Sequence, residues 1–208
     1  MSFVIRARLA CGALLAGLVL TACVTRPPSL AIPDAATQQA LLRDMPAFTL
    51  EGRVAVRSGE EGWQASVRWR QRDDVSEVRL AGPFGAGALQ LRFDGAALTL
   101  TTSRGDTLDG EEAAATLRQQ LGFDPPIAEL RHWLLAAAAP PEASAVIEPG
   151  ANGRPAALQQ QDWQLAFEDY RTQKLKSAAV QMPRRIIATR DAVRLRLVVD
   201  RWRLGKAR

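Results

Sequence analysis

Cysteine is almost absent from this sequence of 208 residues. Two occur, Cys11 and Cys23, both close to the N-terminus. A disulfide framework or a nucleophilic cysteine in the body of the chain is therefore excluded. Histidine is scarcer still, with His132 alone between Arg131 and Trp133. Without a second imidazole or a cysteine cluster, the usual ligand spacings of a zinc site cannot be met. No G-x-S-x-G occurs, which removes the nucleophile elbow of the α/β-hydrolases. The stretch Gly82-Pro83-Phe84-Gly85-Ala86-Gly87 lacks the Lys-Ser/Thr of a phosphate loop and does not open a helix. The acidic pairs Glu60-Glu61 and Glu111-Glu112 fall at a turn and a helix start, where solvation and the helix dipole account for them. No catalytic, metal or cofactor constellation is left, and no enzyme is expected.

Blocks of like charge are also missing. The 27 Lys and Arg are dispersed among 22 Asp and Glu, although the pI is near 10.0. Nucleic acid is accordingly not an expected partner. The apolar run Leu9–Leu20 is too short for a comfortable membrane span.

That run has another use. Arg6 and Arg8 precede it, and Leu20-Thr21-Ala22-Cys23 follows it. This order looks like a bacterial lipoprotein signal. In such signals the cysteine takes a diacylglycerol and the chain is cut before it. The implied organisation is a signal peptide over 1–22, a lipid-anchored tether over 23–38, a folded domain over 39–204 and a flexible end over 205–208. Pro27, Pro28 and Pro33 suit a tether. Val24, not Asp, follows the cysteine, which by the same resemblance directs the product to the outer membrane.

After a short helix predicted around Ala36–Arg43, the period becomes two. Phe48, Leu50, Val54 and Val56 share a face, as do Trp63, Ala65, Val67 and Trp69, then Val78 and Leu80, then Leu89, Leu91 and Phe93. Turn signals at Gly59–Gly62, Asp73-Asp74 and Asp94-Gly95 separate them. Consecutive half-buried strands with short links predict an antiparallel meander. Two short helices interrupt it. One is predicted to begin with a capping box at Asp109 and Glu112 and to end at Gly122, and the other carries Ile127, Leu130, Trp133 and Leu134. Strands resume at Trp163–Phe167, Ile186–Thr189 and Val193–Val199. The expected fold is mainly β: a half-open antiparallel barrel whose open side the helices cover.

Five tryptophans stand in this domain, Trp63, Trp69, Trp133, Trp163 and Trp202. They suit either a filled core or the wall of a cavity between a curved sheet and a lid, and periodicity does not choose. If a cavity exists, the faces place Trp63, Val67, Trp69, Leu80, Leu91 and Trp133 on its lining. A second oddity is Phe84, flanked by Pro83 and Gly85 in a loop with no polar residue, where loops are ordinarily polar.

Several stretches together resemble the LolB family of Gram-negative bacteria. They are Gly52-Arg53-Val54-Ala55-Val56, Trp69-Arg70-Gln71, Val78 to Gly85, Leu130-Arg131-His132-Trp133-Leu134, Gln161-Asp162-Trp163, Met182-Pro183 and Val193 to Trp202. The resemblance implies an outer-membrane lipoprotein, acylated at Cys23 and monomeric, without cofactor. It would accept lipoproteins from the periplasmic carrier LolA by holding their acyl chains in a hydrophobic cavity. Release into outer-membrane phospholipids would follow. It also implies a membrane-directed loop formed by Pro83, Phe84 and Gly85. A departure is Ala136–Ala139 before Pro140-Pro141, where the family often has Gly-x-Pro. The other reading is a lipid- or glycolipid-binding lipoprotein of the same fold without a carrier.

Overall fold

Alternation of apolar and polar side chains builds one sheet from eleven strands. The computed structural model describes residues 30–82, 87–176 and 178–205. The expected signal peptide with Cys23, and the Pro83, Phe84 and Gly85 triplet, lie outside them. The chain runs through α1 (Ala35–Arg43), then the meander β1 (Ala47–Ser58), β2 (Glu61–Arg72), β3 (Val75–Ala81), β4 (Leu89–Phe93), β5 (Leu98–Thr101) and β6 (Thr107–Asp109). Helices α2 (Gly110–Leu121) and α3 (Ile127–Trp133) follow. The last strands are β7 (Ala145–Pro149), β8 (Pro155–Gln160), β9 (Trp163–Leu175), β10 (Ala178–Arg190) and β11 (Val193–Leu204). In space the order is β6-β5-β4-β3-β2-β1-β11-β10-β9-β8-β7, every pair antiparallel. β6 and β7 are edges that do not pair with each other, so the barrel is open.

The register keeps one apolar face. Across β1 and β2, Leu50 faces Trp69, Val54 faces Ala65, and Val56 faces Trp63. Across β1 and β11, Val56 faces Leu195 and Val54 faces Leu197. A bulge in β11 at Asp200 then shifts the parity, so that Trp202 faces Leu50 and still points inward. Gly52 stands beside the bulge. A Cβ there would overlap the Val198 carbonyl oxygen and sit 3.1 Å from the Val199 Cα, so the close backbone approach excludes any side chain.

β10 pairs with β9 along nearly its whole length, but with β11 only over Arg185–Arg190. The gap at the other end is closed by the N-terminal segment. Ala179 N–H donates to the Ala31 carbonyl at 3.2 Å. The buried Gln38 amide accepts from Gln181 N–H at 2.8 Å and donates to the Gln181 carbonyl at 3.4 Å. One side chain thus stands in for a strand neighbour. The expected tether boundary at 38 falls inside α1, because Gln38 is needed by the sheet; the helix belongs to the fold from Ala35.

Near α1 the interior is filled. Leu42, Phe48, Leu50, Val180, Met182 and Trp202 are buried together, with the Phe48 and Trp202 rings edge to face at 5.8 Å. Helix α2 ends as expected, with Gly122 left-handed at φ 79° and its N–H on the Arg118 carbonyl at 2.9 Å. Its start differs from the expected capping box. Asp109 makes no side-chain cap, because its carboxylate accepts the Thr99 hydroxyl at 2.7 Å across β5 and β6. β7 and β8 were not expected as strands; neither shows a clean period of two.

Candidate hydrophobic cavity

Away from α1, sheet and helices do not fill the space between them. A cavity of about 140 Å³ lies there. The sheet side carries Val54, Val56, Trp63, Val67, Trp69, Leu80 and Leu91; the helix side carries Leu117, Leu121, Ile127, Leu130 and Trp133. Trp63, Val67, Trp69, Leu80, Leu91 and Trp133, the residues placed by strand and helix faces alone, all line it. Both readings of the tryptophans therefore hold at once. Three face the cavity, whereas Trp202 belongs to the filled core and Trp163 packs behind Trp133, ring centroids 6.2 Å apart.

Every lining residue is apolar, and the one polar atom of each lining tryptophan is used elsewhere. Trp63 Nε1 donates to the Leu121 carbonyl at 3.3 Å, Trp69 Nε1 to Gln71 Oε1 at 3.0 Å, and Trp133 Nε1 to Gln160 Oε1 at 2.8 Å. The cavity therefore meets only carbon surface. Such a space stays dry and receives apolar ligands.

The lid is fastened unequally. At the α3 end, Gln160 is 2 % exposed and spends its amide on the lid. Its Oε1 accepts from Trp133 Nε1 and from Ala139 N–H at 2.9 Å, and its Nε2 donates to the Ala139 carbonyl at 2.6 Å. The segment Ala136–Ala139, where the chain departs from the family pattern, is buried, and Ala139 is the residue that this anchor holds. Arg131 adds a second tie, donating to Asp74 Oδ1 at 2.6 Å and to the Asp73 carbonyl at 3.0 Å. At the α2 end the fastenings are single bonds, the part-buried one from Trp63 to the Leu121 carbonyl and two near the surface. Ser58 Oγ donates to the Gly122 carbonyl at 3.0 Å, and Arg190 to the Asp124 carbonyl at 3.3 Å.

His132 faces Arg131, whose Nε donates to His132 Nε2 at 3.0 Å. Burial first, and the Arg131 charge second, hold its pKa below the ordinary 6.5. A neutral imidazole accepting that bond is a positioning element of the lid. The run from Leu130 to Leu134 thus alternates roles, with Leu130, Trp133 and Leu134 on the cavity and Arg131 with His132 holding them there. Gln160 and Gln38 had no signal in the sequence, since nothing in the local pattern marks a buried amide; Gln71 stood in the Trp69-Arg70-Gln71 stretch, which did not show that it is buried.

The family model described as "Outer membrane lipoprotein LolB" matches residues 46–202, a span that holds both walls of the cavity. The chain belongs to the LolB family. The outer-membrane lipoprotein LolB of Chromohalobacter salexigens is 33% identical over 199 residues, covering 90% of this chain and 89% of its own. LolB of an Azoarcus species is 32% identical over 199 residues, covering 95% of each. A crystal structure of a LolA-superfamily protein from Nitrosomonas europaea superposes with a TM-score of 0.50 at 11% identity, over 84% of this chain and 93% of that one. At that identity the likeness concerns the fold alone.

Proposed function

We propose that this chain is an outer-membrane lipoprotein, anchored through Cys23, that takes lipoproteins from a LolA-type periplasmic carrier and passes them into the membrane. The observation that carries the reading is the wholly apolar cavity between sheet and lid. Its volume sets a condition. About 140 Å³ is the size that holds one benzene-sized molecule, so a long acyl chain enters only when the lid moves. The fastenings give the direction. The α3 end stays on Gln160 and Arg131, and the α2 end swings after release of the Trp63, Ser58 and Arg190 bonds.

Transfer without nucleotide runs downhill in affinity. The carrier must hold acyl chains less tightly than this cavity, and the bilayer more tightly than either. Each methylene moved into an apolar phase contributes about 0.8 kcal/mol, so small differences in how many methylenes are covered set the direction. The Pro83, Phe84 and Gly85 loop supplies the last contact in this reading, its aromatic side chain entering the interface for about 1.5–3 kcal/mol.

A two-step assay tests this. Carrier loaded with a lipoprotein is mixed with the receptor, and transfer is scored; liposomes are then added, and release is scored. Phe84→Glu is expected to leave the first step intact and to slow the second sharply. Block of the first step with the second spared assigns the loop to the carrier. Absence of the first step in the unaltered protein leaves a lipid-binding lipoprotein without a carrier.

A further inference from the structure

We propose that the outer face of the sheet, centred on Arg57, Arg194 and Arg196, docks on an anionic phospholipid surface, so that the domain lies along the membrane with its lid turned away. The inference rests on the reading of Cys23 as the lipid anchor. It goes beyond that reading by giving the receptor an orientation and a second, electrostatic contact.

Charge is the first support. Arginines that are dispersed in the sequence are segregated in space, because alternation in runs such as Arg53-Val54-Ala55-Val56-Arg57 puts every second residue on one side. On the outward positions of β1, β2 and β11 arginines outnumber acids nine to two, an excess larger than the +5 of the whole chain. Glu51 is already shared, by Arg68 at 3.0 Å and by Arg201 and Arg203 at 3.4 Å each. Asp200 is taken by Arg53 at 3.0 Å. Arg57 and Arg194 stand directly opposite each other, with Arg196 opposite Ala55 on the same face. None of these three has a carboxylate within 4.0 Å among the described residues. Like charges on one rung destabilise a sheet, and a surface of phosphates offsets that repulsion. Beside them, between Arg53 and Arg196, the floor is low, made by Ala55, Gln64, Ser66 and Ala81, and leaves an open trough of about 720 Å³.

The length of chain outside the structure is the second support. The described chain begins at Leu30, and Ala31 is bonded to Ala179 at the start of β10. That is the end of the sheet opposite to Arg57, Val193 and Arg190. Six residues lie between Cys23 and Leu30, and the seven steps that join them reach at most ~25 Å. The twelve residues of β1 span ~40 Å. An upright domain on its anchor would hold Arg57 and Arg194 far above the headgroups. Lying along the surface brings the tether exit and the arginines to it together.

The test uses the acylated protein, which has no free thiol once Cys23 is modified and Cys11 has left with the signal. A fluorophore is attached at Ala55→Cys on the outer face or at Val146→Cys on the exposed edge strand β7. Vesicles of phosphatidylcholine, with or without phosphatidylglycerol, carry a quencher on their headgroups. Quenching at Ala55→Cys is expected to exceed that at Val146→Cys, only with phosphatidylglycerol, and to vanish near 1 M salt, where the Debye length is about 3 Å. An arginine at an anionic leaflet is worth about a fivefold change in partition. The triple variant Arg57→Gln/Arg194→Gln/Arg196→Gln therefore loses about a hundredfold in the face-down population, with tryptophan fluorescence reporting that it is folded. Equal quenching at the two positions, or no response to phosphatidylglycerol, overturns the proposal while flotation with vesicles leaves the anchor standing. A triple variant that keeps the lipid response but no longer takes cargo from the carrier makes the face a protein-docking surface, which also overturns it. An unacylated Cys23 in the mass spectrum removes the anchor reading and the proposal with it.

Discussion

Gln160→Ala should loosen the lid at its fixed end, and the structure gives the size of the effect. Three buried groups lose their partner: the Trp133 indole N–H, the Ala139 N–H and the Ala139 carbonyl. A buried polar group left unpaired costs about 1–3 kcal/mol, and relaxation recovers part of it, so a loss of about 3–5 kcal/mol is expected. For a domain of this size about 2–4 °C of Tm goes with each kcal/mol, which predicts a fall of about 10 °C. Gln161→Ala is the control. Its amide makes one exposed bond, to Glu129 Oε1 at 2.8 Å, and its removal should stay within about 0.5 kcal/mol. Urea denaturation measures the stability, and hydrogen exchange measures protection of residues 133–139, which should fall well before that of β1 and β11. Because the closed lid opposes entry of an acyl chain, the variant should also bind a fluorescent fatty acid more tightly. A Tm within about 2 °C of the parent, with protection of 133–139 unchanged, would show that Gln160 does not hold the lid.

Leu80→Trp places an indole in the cavity from the sheet side; overpacking should cost about 1–3 kcal/mol, while fatty-acid binding, read by calorimetry, disappears. Retained binding would mean that acyl chains lie elsewhere. His132 sets a pH dependence. Its folded pKa lies below the unfolded value of 6.5, so at pH above 6.5 both states are neutral and its contribution is whole. As pH falls below 6.5 the unfolded chain takes up the proton first, and stability declines toward the folded pKa. Urea midpoints between pH 7.5 and 5 should show that decline, and His132→Asn should flatten it; an unaltered slope in the variant would place the titration on other groups.

Period-two alternation carried most of the sheet and most of the cavity wall, because a half-buried strand must separate its faces. The six lining residues from Trp63 to Trp133 were legible for that reason. Pro155–Gln160 escaped because Leu158 is its one large apolar residue and its buried end is a glutamine. The Gln160 and Gln38 anchors escaped because each serves backbone distant in sequence, an arrangement that no local window contains. Asp109 looked like a cap, but a neighbouring strand supplied a better donor in Thr99. The arginine face was written in the same alternation as the cavity, yet counting charges along the chain hides it, since an acid near in sequence can lie on another face.

The central position of β1 bears on how the chain reaches its fold. One neighbour, β2, follows immediately, but the other is the final strand, with Phe48 opposite Leu204 and Ser58 opposite Val193. A chain made from its N-terminus therefore carries β1 with one edge free until the whole sequence is present. Pairings of such sequence separation form slowly, since loop closure precedes any return from contact. The last strand to be made is the one that joins the two halves of the sheet, β1 to β6 on one side and β10 to β7 on the other. Loss of β11 alone would leave two separate half-sheets with exposed apolar faces, so a chain stopped just short of its end is a substrate for aggregation or proteolysis rather than a weaker receptor.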